Sequence, residues 1–164
     1  MLLKIADWVF DADIGLNMEI SAKQAAEHCE CGYCRNYYQT LDRNYPGIRP
    51  FLAKFGIDPE GPDELSPFEP TIYEASFIVN GEIAVFGNEK LYVDGVPVRI
   101  LTSDDADMDT ERPKPYFVLL FGLLELPWVL DEPEENVISP ANEPEYLERM
   151  NRKLMKLMNE TQIS

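Results

Sequence analysis

Histidine occurs once in these 164 residues, at His28, and bases are scarce: 14 lysines and arginines face 30 acids, for a formal net charge of −16. With one histidine and no Gly-x-Ser-x-Gly, no Ser/His/Asp hydrolase arrangement can be argued. No glycine-rich phosphate loop is present, and no basic stretch is interleaved with aromatics. The negative surface repels nucleic-acid phosphates and anionic membranes, so neither is an expected partner. The longest apolar run, residues 116–124, is too short to span a bilayer. The N-terminus meets an acid at Asp7 before any stretch of signal-peptide length. The expected compartment is therefore the cytoplasm, where cysteines stay reduced. There is no internal repeat.

What is present is an ordinary globular composition, 45% hydrophobic and 11% aromatic. Residues 2–10 read as one extended segment carrying Trp8 into the core. Ser21 and Gln24 form a capping-box pair that opens a helix there. Gly32 breaks that helix and begins a second. Its apolar face is Cys34, Tyr37, Tyr38, Leu41 and Tyr45; Arg35, Asn36 and Gln39 fall on the polar side, and Pro46-Gly47 ends it. A short helix follows around Phe51–Phe55, closed by Gly56. Residues 57–70, with Pro59, Pro62, Pro67 and Pro70, read as loop. The period then becomes two. A strand at 71–79 and another at 82–86 flank Asn80-Gly81, and a second hairpin signal stands at Asp94-Gly95. Pro97 cannot donate to a ladder, which places its strand at an edge or a bulge. Residues 103–115 read as an exposed acidic loop, residues 116–124 as the sheet centre covered on both faces, and Leu126–Leu130 as a packing clasp.

The expected fold is α+β: N-terminal helices packed on an antiparallel β-meander, with a C-terminal amphipathic helix. Residues 1–130 form the single domain, residues 131–142 an acidic proline-rich linker, and residues 143–160 the C-terminal helix. That helix carries Leu147, Met150, Leu154, Leu157 and Met158 on one stripe, and either packs back on the domain or mediates self-association.

All three cysteines and the histidine fall within residues 28–34. Thiolate and imidazole are the donors zinc prefers, and Cys31-x-x-Cys34 lets two sulfurs reach one ion. The candidate metal ligands are His28, Cys29, Cys31 and Cys34, with Glu30, water or a second protomer completing the shell. No second Cys or His pair exists to make a full zinc-finger set. A competing reading is thiol redox: Cys31-Gly32-Tyr33-Cys34 opens a helix, where N–H groups, the helix dipole and Arg35 lower the pKa of Cys31. It resembles the active-site turn of thioredoxin-like oxidoreductases, although it follows a helix rather than a buried strand. A third reading is architectural, with Cys34 buried and His28 a helix C-terminal residue.

Cys31-Gly32-Tyr33-Cys34-Arg35-Asn36-Tyr37, followed by Gly56-Ile57-Asp58-Pro59, resembles a group of small uncharacterised bacterial proteins with a C-x-Y-C-x-N-[FY] stretch, a G-I-D-P loop and a β-rich half. The resemblance covers residues 28–64 best. It implies a shared fold and no activity.

Between Phe55 and Glu89 every charged side chain is acidic, whereas Cys31–Lys54 carries Arg35, Arg43, Arg49 and Lys54 against Asp42 alone. Those bases either pair with nearby acids or form an anion site. The run from Asp104 to Glu111 lacks the glycine and terminal glutamate of an EF-hand loop. The leading functional expectation is a non-enzymatic, acidic, cytoplasmic domain that binds a protein partner, the profile of small inhibitor, immunity or phage-accessory proteins. The rival is a zinc or thiol-redox function at Cys29, Cys31 and Cys34; no other cofactor is expected.

Overall fold

A computed structural model describes residues 1–69 and 71–132, together with Arg152, Met155 and Lys156. The expected linker at 131–142 and C-terminal helix at 143–160 lie outside the described residues, apart from Asp131, Glu132 and those three positions.

The fold is α+β. Two strands, β1 (Leu2–Ile5) and β2 (Trp8–Ala12), precede three helices: α1 (Ile14–Ala26), α2 (Gly32–Asn44) and α3 (Ile48–Ala53). Then come β3 (Glu64–Glu69), β4 (Ile72–Val85), β5 (Leu91–Val93), β6 (Val96–Thr102), the single-turn α4 (Ser103–Ala106) and β7 (Tyr116–Glu125). The strands form one antiparallel sheet in the order β1-β2-β4-β7-β6-β5, with β3 also paired to β4. It is not a simple meander, because β4 pairs with β7 rather than with β5.

The central strand behaves as its composition demands. Phe117, Leu119 and Phe121 of β7 face the main core, with Tyr73, Ala75, Phe77 and Val79 of β4. Tyr116 and Val118 face a smaller cluster with Ile78, Leu101, Ala106 and Met108. α2 and α3 cover the main face with Tyr33, Tyr37, Leu41, Ile48, Phe51 and Leu52. Phe10 stacks on Phe117 at 5.2 Å and meets Phe55 edge-on at 5.4 Å, which ties β2 to the residues following α3.

Several local signals gave way to tertiary ones. Residues 2–10 are a hairpin, turned at Ala6-Asp7 with Ala6 at φ 52°, where no Gly or Asn marks the turn. α1 starts at Ile14, seven residues before the expected Ser21, with the Asp13 carboxylate accepting from the Leu16 N–H at 3.2 Å. Ser21 and Gln24 are not a cap. With Asn17 they form a polar stripe at i, i+4 and i+7 facing the domain: Ser21 Oγ accepts from the Asp58 N–H and Gln24 Nε2 donates to Asp63. The proline-rich loop contains β3, an edge strand bulged between Pro67 and Glu69. Asn80-Gly81 is not a turn, since β4 runs straight through it. Asp94-Gly95 is the expected turn, with φ of 51° and 81°. Pro97 lies in a strand flanked on both sides, but the ladder from β6 to β7 begins only at Val98.

The buried face of α2 is also rotated from the expected one. It runs through Tyr33, Asn36, Tyr37, Thr40 and Leu41, and Cys34 sits half-buried at its rim. Asn36, expected on the polar side, is 0% exposed. Its amide donates to Pro127 O at 3.0 Å and to the Tyr73 hydroxyl at 3.3 Å, and its Oδ1 accepts from the Val129 N–H at 2.9 Å. This one side chain fastens the strap after β7 across the start of α2. Trp128 adds an edge contact to Tyr33 at 5.8 Å, and Glu132 an ion pair to Arg35. Asn36→Ala removes the hydrogen bonds to Pro127 O, the Tyr73 hydroxyl and the Val129 N–H, each contributing about 0.5–1.5 kcal/mol. The expected result is a loss of about 2–4 kcal/mol in urea unfolding, with faster amide exchange at Val129. An unchanged midpoint would mean the strap is held by its apolar residues alone.

Candidate metal centre

α1 ends at Ala26, and its cap residue Glu27 returns an N–H to Lys23 O at 3.0 Å. α2 begins at Gly32 with Cys31 as its N-cap, in extended conformation at φ −65° and ψ 164°. Between the helices the chain doubles back, and α2 holds that turn from below. The Tyr38 hydroxyl donates to Cys29 O at 2.9 Å, and Arg35 Nε donates to Glu30 O at 2.8 Å. The sulfurs of Cys29, Cys31 and Cys34 consequently lie within 4.8 Å of one another. Cys29 and Cys31 are exposed and Cys34 half-buried; none is in a disulfide.

Cys31 and Cys34 are electrostatically unequal. The Cys34 thiol donates to the Cys31 sulfur, holding Cys31 down to about 5 against the opposing effect of burial; the N–H groups of Cys34 and Tyr33 and the Cys29 thiol add to it. Cys34 is pushed far above the ordinary thiol range because it is the donor to Cys31, and burial and the Cys31 charge act the same way. The Cys31 N–H points to Cys29 Sγ at 3.4 Å. Of Cys31 and Cys34, Cys31 is the sulfur disposed to ionise and Cys34 the one that keeps its proton. Tyr38 is raised as well, chiefly by burial, with the neighbouring cysteine sulfurs acting the same way. Arg35, expected to help ionise Cys31, instead turns to Glu30 O and Glu132.

His28, the remaining candidate ligand, is not among the converging donors. Its ring lies on Tyr38, with centroids 4.0 Å apart and planes 12° from parallel. Its Nδ1 is enclosed and makes no hydrogen bond. The residues that sequence reasoning missed are thus Tyr38 and Arg35 in their positioning roles. The one sequence signal was their place on the first turns of the helix that the cysteines open.

Other candidates resolve into structure. Arg35 pairs with Glu132, and Arg49 with Asp42 at 3.1 Å and Asp58 at 3.3 Å, so those bases of the island meet acids of the same chain. Lys54 stands over the Phe51 ring at 6.0 Å. The acidic run at 104–111 brings no donors together, and the cysteines are the one group with metal-ligand convergence among the described residues. No helix among the described residues is long and apolar enough to cross a membrane. No protein-family model matches this chain, and no curated protein or solved structure does either.

Proposed function

We propose that this domain holds a soft metal ion of the zinc class on Cys29, Cys31 and Cys34. The observation that carries this is the convergence of three sulfurs within 4.8 Å on a turn fixed by its own helix. Thiolates are the donors zinc prefers, and with three protein ligands the fourth position takes water or a group from a partner. One of the three is already disposed to ionise, which lowers the proton cost of binding. Tyr38 and Arg35 support the site by fixing the Cys29 and Glu30 carbonyls, which sets the path of the turn that carries the sulfurs.

The test is titration of the reduced full-length chain with cobalt(II), followed by zinc competition. A thiolate-to-cobalt absorption band saturating at one ion per chain is the expected result; no band, with all thiols reacting freely, would remove the reading. Tyr38→Phe keeps the ring under His28 but loses the bond to Cys29 O, and it should weaken binding by roughly 10–100-fold without loss of fold.

A second reading, dithiol redox at Cys31 and Cys34, is supported by the approach of their sulfurs at a helix N-terminus. Protein binding, expected from the charge, is supported by the exposed apolar side chains Val85, Phe86 and Tyr92 within one stretch around β5.

A further inference from the structure

Building on the thiophilic-centre reading, we infer that the site is matched to a three-coordinate thiophilic ion and takes arsenic(III), as arsenous acid, in preference to zinc. The donor count points there. A tetrahedral zinc on this turn must borrow its fourth ligand from water or a partner, because the converging donors among the described residues are three sulfurs. The imidazole nearest in sequence is laid flat on Tyr38, and Glu132 is engaged by Arg35. Arsenic(III) forms three bonds to sulfur in a pyramid, and its lone pair fills the direction in which zinc requires a fourth donor. Such an ion suits a site that supplies three sulfurs from one short turn and opens to solvent on the side of Cys29 and Cys31.

The step balances without any redox partner. Arsenous acid exchanges its three hydroxyls for three cysteine sulfurs: with three thiols, three As–O and three S–H bonds break, three As–S and three O–H bonds form, and three waters leave; when Cys31 starts ionised, the third hydroxyl takes its proton from solvent. Arsenic stays trivalent and sulfur stays reduced. The surface charge is compatible with this ligand. A net charge of −16 opposes anions such as arsenate, whereas arsenous acid is neutral at physiological pH and meets no repulsion. Softness acts in the same direction, since thiolate sites select soft acceptors. Because the donors are linked, each bond after the first forms within the complex; losing one sulfur lowers avidity by about 10²–10⁴-fold.

The reduced full-length chain is titrated anaerobically with arsenite, with arsenate and with zinc, and free thiols and intact mass are followed. The expected result is one arsenic per chain with all three thiols lost, displacement of pre-bound zinc or cobalt, and no response to arsenate. Cys29→Ser and Cys31→Ser, both at exposed positions, should each weaken arsenite binding by about 10²–10⁴-fold while the melting curve of the metal-free protein stays in place. Arsenite that blocks only two thiols, with Cys29→Ser binding it as well as the parent, would overturn the three-sulfur assignment. Zinc binding without arsenite binding would overturn this inference and leave the thiophilic centre standing. Thiols that neither ion protects would overturn both.

Discussion

Alanine at position 81 will destabilise this domain by about 3 kcal/mol or more, the sum of a dihedral cost of about 1–3 kcal/mol and a clash with backbone. Gly81 has φ of 138°, and a Cβ there would stand 2.2 Å from Asp11 O and 2.8 Å from Ala12 Cα. Neither atom can retreat. Asp11 and Ala12 are paired with Glu82 and Gly81 in the β2–β4 ladder, and the Gly81 N–H is bonded on the other side to Pro115 O at 3.0 Å. At this chain length each kcal/mol is worth about 2–4 °C, so the melting temperature should fall by about 6–12 °C or more. Gly95→Ala is the control: φ is 81° there but no atom lies within 4 Å of the added Cβ, so the dihedral cost of about 1 kcal/mol stands alone. If the two variants melt together, β4 does not pass β2 as closely as described.

Gly81 also shows where the sequence stops being readable. Asn-Gly is a strong local hairpin signal. Here every polar group of Asn80 is claimed from far away in the chain. Its N–H and carbonyl bond to the Asn17 side chain, its Nδ2 donates to Pro113 O at 2.7 Å, and its Oδ1 accepts from Arg112 at 2.8 Å. Asp94-Gly95 carries the same signal without such claims and folds as a turn, steadied by the Gly47 N–H donating to Asp94 at 2.6 Å. The elements legible beforehand were those whose information is local: the apolar run of β7, Gly32 opening α2, and Pro46-Gly47 ending it. β3 was hidden because its prolines are tolerated on an edge, which only the finished sheet reveals. Asn36 was hidden because its partners lie beyond position 70. The cysteine cluster was legible from spacing. That His28 does not join it was not legible, because the cause is ring stacking on Tyr38 across the turn.

Arg112→Met will cost about 3–5 kcal/mol at neutral pH, and the deficit will shrink as the solution is acidified. Arg112 and Asp63 are 7% and 8% exposed, with charged atoms 3.6 Å apart. Burial disfavours the charged form of each: Asp63 is raised chiefly by desolvation, against the Ile78 N–H, Gln24 and Arg112; Arg112 is lowered by desolvation, against Asp63. The pair fixes geometry rather than contributing a large net attraction. It holds the loop before β7 to β4, since Arg112 donates to Ile78 O at 3.2 Å and to Asn80 Oδ1 at 2.8 Å. A carboxyl raised in the folded state binds its proton more readily there than in the unfolded chain. Its contribution to stability is therefore present at low pH and lost as pH rises from about 3.9, the ordinary aspartate value, through the folded one. Methionine removes the cation that opposes this, so the folded Asp63 value climbs further and the interval of loss extends toward neutrality. The orphaned Ile78 carbonyl and Asn80 Oδ1 add a share that does not vary with pH. Urea midpoints of parent and variant measured between acid and neutral pH separate the two shares. A deficit identical at every pH would show that Asp63 is satisfied by the Ile78 N–H and Gln24 alone. Asp63→Asn in the Arg112→Met background should remove the pH-dependent share and leave the constant one, because the amide still accepts from the Ile78 N–H but carries no charge to desolvate.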